Sequence, residues 1–168
     1  MMSKLITVKT LTFNKHWMEV ALDQARIAFS KGEIPVGAVI VDSKNHQVIV
    51  SGHNLVEQMN NPTLHAEMVV INQACQILCS KNLSNCDLYV TLEPCAMCAA
   101  AISFARIKRI FYATDDQKQG SVENGGRFFA SKHCFHRPEI YSGFSAEASA
   151  KLMRNFFAQA RLNATCKG

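Results

Sequence analysis

Long apolar runs are missing from this 168-residue chain. No stretch approaches the ~20 residues that cross a bilayer. Met1 to Phe13 has neither a continuous apolar segment nor a small-residue cleavage site, so no membrane span and no secretory leader are expected. Internal repeats, low-complexity tracts and linkers are absent as well. That leaves one expected domain over residues 1–168, with its core at about 14–162. Blocks of like charge are also lacking. The 18 Lys and Arg against 13 Asp and Glu give a net +5, spread thinly along the chain. A modest basic excess suits an anionic partner such as RNA without requiring one. Seven cysteines, an odd number with no leader, argue against a disulfide framework and for reduced thiols, which points to the cytoplasm.

What is present is a pair of short motifs, His65-Ala66-Glu67 and Pro94-Cys95-Ala96-Met97-Cys98. Imidazole nitrogen and thiolate sulfur are the donors Zn²⁺ favours, and a hydrolytic zinc keeps three protein ligands with a fourth position for water. His65, Cys95 and Cys98 supply three. A Cys-x-x-Cys alone also fits a redox couple or half of a structural zinc knuckle. A redox couple has no use for an upstream His-x-Glu, and no second Cys-x-x-Cys or His-x₃₋₅-His offers the fourth ligand a structural site needs. Two thiolates largely neutralise the cation, so a water there needs a base. Glu67 is the expected one, although a glutamate in a first helical turn also complements the helix dipole.

Spacing organises the rest. Asn14 is expected to cap a helix carrying Met18, Ala21, Leu22, Ala25 and Phe29, with Gly32 ending it. Val36 to Val41 and Val48 to Val50 read as an antiparallel hairpin about Ser43 to His46. A second helix is expected to carry Leu64, Met68, Ile71, Cys75 and Leu78 on one face, with His65 and Glu67 in its first turn. Leu88 to Leu92 reads as a strand, and Pro94 as the first position of a third helix. Ile107 to Ala113 is a further strand, and Ser145 to about Leu162 a last helix burying Ala148, Leu152 and Phe156. Two crossovers imply a sheet with an antiparallel hairpin and a parallel centre, binding ligands beyond its strands' carboxyl ends.

The H-x-E…P-C-x-x-C pattern is the signature of zinc-dependent nucleobase deaminases. With Glu33 to Ala38, Gly52-His53-Asn54, Asn61-Pro62-Thr63 and Thr91 to Pro94, the chain resembles the cytidine-deaminase-like superfamily, and within it the bacterial tRNA adenosine deaminases, over residues 14 to 162. The resemblance implies an α/β class with a three-layer α/β/α fold on a mixed, mainly five-stranded sheet, bound zinc, and a homodimer with sites near the subunit interface. It implies conversion of adenosine to inosine in a tRNA anticodon loop. It also implies a base pocket to which Asn54 brings its amide, Ile34, Pro35 and Val36 their side chains, and Ala66 its backbone N–H. Asp115 matches an acidic position in the RNA-binding loop, and Phe156, Phe157 and Arg161 match the C-terminal helix, so the resemblance implies that Asp115 and Phe156 contact the substrate.

Three departures bear on the substrate. Lys118 and Gly120 arrive late in the loop pattern, Ser121 to Phe129 is unlike the tRNA enzymes, and no run of basic residues follows Arg161. Fewer cations on a phosphate backbone mean weaker engagement. A free base or nucleoside, guanine or cytosine among them, is the alternative substrate. A non-catalytic zinc-stabilised subunit or RNA-binding module is the alternative of another kind, and an intact Glu67 argues against it. His133-Cys134-Phe135-His136 offers too few ligands for a second metal site and reads as a solvated loop.

Overall fold

The computed structural model describes residues 14–165. Met1 to Phe13 and Cys166 lie outside them. The elements are α1 (Lys15–Ser30), β1 (Gly37–Asp42), β2 (Val48–His53), α2 (Ala66–Ile77), β3 (Cys86–Leu92), α3 (Ala96–Ala105), β4 (Arg109–Thr114), a 3₁₀ turn (Phe128–Ala130), β5 (Glu139–Ser142) and α4 (Ala146–Thr165).

Five strands form one sheet in the order β2-β1-β3-β4-β5. Within β1, Ala38 and Ile40 join Val70 of α2 and Ile102 of α3 in one core, while Val39 and Val41 join Met18 and Ala21 of α1 in the other. This alternation is what a strand buried on both faces requires. It gives an α/β/α sandwich, with α4 crossing α1 through Phe156 on Phe29. The register Tyr89↔Phe111↔Tyr141 stacks three rings across β3, β4 and β5 on the α1 face, with centroids 4.4 and 4.9 Å apart. At the far end of the same strands Arg109 meets Asp87 through two hydrogen bonds of 2.7 and 2.5 Å.

The sheet centre differs from the expectation. β1 pairs antiparallel with both β2 and β3, and parallel pairing begins only at β3–β4. The α2 crossover does return the chain parallel to β2, but β1 stands between the two strands. Asn14 caps α1 as expected, its side chain accepting from His16 N–H. Pro94 falls before α3, not on its first turn. Cys95 holds the N-cap, because the Pro94 carbonyl accepts Ser121 N–H and keeps the chain extended.

Two helix faces are also corrected. α2 turns Ala66, Glu67, Val70, Ile71 and Ala74 inward and leaves Leu78 exposed. In α4, Ala148 faces out and Ser149 faces in, donating to the Thr91 carbonyl at 2.5 Å. β2 runs three residues beyond Val50, and β5 was not anticipated as a segment.

Candidate active site

β2, β3 and β4 run one way and β1 the other. Their carboxyl ends and the start of β1 therefore share one edge of the sheet, and a cavity of about 1040 Å³ opens there. Asn54 follows β2, Cys95 follows β3, Asp115 follows β4 and Val36 precedes β1; all four line it.

His65 is the N-cap residue of α2 and Cys95 that of α3, both extended and neither capping its helix with its side chain. Cys98 stands in the first turn of α3. His65 Nδ1 lies 3.6 Å from Sγ of Cys95 and 3.6 Å from Sγ of Cys98. Tetrahedral zinc, with bonds of about 2.3 Å to sulfur and about 2.1 Å to nitrogen, has nitrogen-to-sulfur edges of about 3.6 Å. The donor set fits the cation in kind and in spacing. Among the described residues it is the group of His, Cys, Asp and Glu side chains that could hold a metal.

The protons are shared in this cluster. The Cys98 thiol pulls Cys95 down to about 4, with His65 adding to the effect against burial. Cys98 is pushed well above an ordinary thiol by the same contact and by burial. His65 is raised, first by its hydrogen bond to Cys95. A bound cation would replace those protons. Beside the cluster Glu67 is 4% exposed, and burial pushes its carboxyl up to about 7.

Asn54 is buried, and its Oδ1 accepts the backbone N–H of Ala66 at 2.8 Å. The side chain caps the helix that carries His65 and Glu67, leaving its amide N–H₂ as the group it can offer a ligand. Ala66 N–H is thereby committed to Asn54. Ile34 and Val36 line the cavity, whereas Pro35 is buried and does not. Asp115 lines it together with Asp116 to Gln119. Phe156 packs on Phe29, and its neighbour Phe157 lines the cavity with Arg154 and Arg161.

Sequence reasoning passed over two buried glutamates on this wall. Glu33 accepts Gln58 N–H at 2.8 Å through Oε1, while Oε2 is, with Trp17 Nε1, one of two buried side-chain polar atoms among the described residues with no partner. Glu93 accepts from the loop that follows β4. Burial works to raise its pKa, and its hydrogen bonds outweigh that to hold it below the ordinary value. Both lie in segments already singled out, but only a fold-back of distant loops reveals their partners. At the 133–136 cluster, His136 Nε2 is bonded to the Ile107 carbonyl at 2.7 Å, and Cys134 Sγ donates to the His136 carbonyl. These side chains brace a loop.

The model of the cytidine and deoxycytidylate deaminase zinc-binding region matches residues 11–114. The chain belongs to this deaminase family. A tRNA-specific adenosine deaminase of Rickettsia bellii is 60% identical over 144 residues, covering 86% of this chain and 99% of that protein. One of Agrobacterium fabrum is 49% identical over 148 residues, covering 88% and 96%. A chain solved in biochemical and structural studies of A-to-I editing by tRNA:A34 deaminases superposes with TM-score 0.80 at 48% identity, over 83% of this chain and 99% of that one. A guanine deaminase of Nitrosomonas europaea, 21% identical with TM-score 0.71 over 88% of this chain and 86% of its own, shares the fold. This deaminase is a hydrolytic enzyme of the same three-layer architecture.

Proposed function

We propose that this deaminase converts adenosine to inosine in tRNA, consuming water and releasing ammonia, at a zinc held by His65, Cys95 and Cys98. The observation that carries the reading is the buried carboxyl of Glu67 beside a His/Cys/Cys cluster whose imidazole nitrogen stands 3.6 Å from each sulfur, on the wall of a cavity. The likeness to tRNA-specific adenosine deaminases over nearly the whole chain supports the substrate.

Zinc bound there would supply the Lewis acidity that makes water nucleophilic at neutral pH. Glu67 takes one proton from the attacking water and carries it to the ring nitrogen, then takes the second from the hydroxyl now on the ring carbon and delivers it to the amine as the C–N bond breaks and ammonia leaves, so one carboxyl serves as base and acid. Its burial keeps those transfers away from bulk water. Asn54 orients the base with its amide, and Ile34 and Val36 bound the base laterally. Asp115, with Lys118, Arg154 and Arg161 at the rim, receives the flanking strand. An unstacked loop base is the cheapest to extrude into such a pocket.

Cytoplasmic residence follows from this substrate. No helix among the described residues is long and apolar enough to cross a membrane. A homodimer is part of the same reading. Half-exposed Ala100 and Ala101 on α3 permit close approach, and Phe104 beside them is 70% exposed. Light scattering giving a monomer at micromolar concentration would remove the dimer.

The experiment measures inosine formation in an anticodon stem-loop alongside ammonia release from guanine, cytosine, adenine and their nucleosides. Editing of the stem-loop is expected to dominate. Efficient turnover of a free base with no editing would move the assignment to a small-molecule deaminase.

A further inference from the structure

Residues 115–124 contain no helix or strand, yet Asp115 to Gln119 form a wall of the cavity. Such a segment needs an external anchor for its backbone donors. Glu93 is that anchor. Its Oε1 accepts the N–H groups of Val122, Glu123 and Asn124 at 3.0, 2.9 and 2.9 Å. Its Oε2 accepts Asp116 N–H at 3.0 Å and Asn124 Nδ2 at 2.7 Å. Five donors from one loop converge on a single carboxylate that is 2% exposed.

The backbone repeats the connection. Glu93 N–H donates to the Thr114 carbonyl, Ser121 N–H donates to the Pro94 carbonyl, and Cys95 bridges Gly120. Gly120 has no room for a side chain, because a Cβ there would stand 2.5 Å from the Glu93 carboxyl carbon. The carboxylate and the loop are packed as one piece.

We infer that Glu93 is a positioning residue that fixes the 115–124 loop as the strand-side wall of the substrate cavity, tying substrate engagement to the turn that carries Cys95. The inference rests on the proposed RNA substrate only for what the wall recognises. The fastening itself is independent of it.

Glu93→Gln keeps the volume but turns one acceptor oxygen into an N–H₂ group facing N–H donors. Asn124→Ala removes one donor from the far side of the contact and leaves the metal turn intact. In Glu93→Gln the amides of Asp116, Val122, Glu123 and Asn124 are expected to exchange with deuterium about tenfold faster or more, as loss of hydrogen bonds to a charged group implies. KM for the anticodon stem-loop is expected to rise by a similar factor, with kcat within about threefold and zinc per chain unchanged. Asn124→Ala should move exchange and KM in the same direction by less, and carries the comparison should Glu93→Gln not fold. Unchanged loop exchange in a folded variant overturns the inference. So does loss of zinc, or a fall in kcat at constant KM, either of which would make Glu93 a support of the metal turn. A wild-type protein that does not edit RNA sinks the functional reading alone, and the exchange comparison still decides the role of Glu93.

Discussion

Glu67 and Asn54 show how little of a side chain's task is set by its type. A glutamate in a first helical turn and an asparagine after a strand are ordinary; burial beside a thiol cluster makes the first a proton carrier in the proposed reaction. Glu67→Gln, which preserves volume, is expected to lower kcat by at least about 10²–10⁴-fold, the range of general acid–base catalysis. Zinc per chain, read by metal analysis, should stay constant. Asn54→Ala leaves Ala66 N–H buried without its acceptor. We expect about 1–3 kcal/mol of lost stability in denaturant titration, beyond any effect on substrate. The gathering of His65, Cys95 and Cys98 was legible because zinc-ligand chemistry constrains residue type and the spacing of the two cysteines. Phe156 and Phe157 were not separable, because helical periodicity says that one of two neighbours faces the cavity but not which. Glu93 was illegible for another reason: its five donors lie 23 to 31 residues away.

Among the elements, β1 and α1 meet at close range at Gly37. A Cβ there would stand 2.5 Å from Ala25 N and 2.8 Å from Gln24 Cβ, and would overlap the Ala21 carbonyl. Two of those three are backbone atoms, so no rotamer change relieves the clash. Gly37→Ala is expected to cost at least about 2 kcal/mol, seen as a lower denaturant midpoint with an unchanged slope. α1 was readable because its apolar residues occupy one stripe, and the hairpin because two β-branched runs flank a polar turn. α2 was misread in part, because Leu64, Met68, Cys75 and Leu78 fall in a regular stripe with Ile71, and of these five Ile71 alone is buried. There Ala66, Val70 and Ala74, none larger than valine, are fully buried and bring the helix onto the sheet. β5 offered four residues at a sheet margin, two exposed and two half-buried, too short for any periodicity to register.

For the molecule as a whole, the order of strands was the least readable quantity. Two crossovers imply parallel strands, and β2 and β3 are parallel. Nothing local tells that β1 comes between them, since that depends on which hydrophobic faces pair at long range. The consequence for stability is that a zinc held by His65, Cys95 and Cys98 would tie together α2 and α3, which follow the two strands flanking β1. With zinc in thousandfold excess over its dissociation constant, the folded state gains about 4 kcal/mol. Chelation is therefore expected to lower the calorimetric midpoint by roughly 10 °C.

The N-cap positions of His65 and Cys95 also set a clock. The two caps are expected to approach one another only after Ala38 has paired with Val90, a ladder that closes across half a hundred residues. In the rate-limiting ensemble of folding the ion should find no assembled site, and it should hold the chain only once the sheet is complete. Zinc is then expected to slow unfolding while leaving the refolding rate constant unchanged, a split that stopped-flow traces with and without chelator would resolve. Refolding accelerated by zinc would mean instead that the imidazole and the two thiols meet before the strands do.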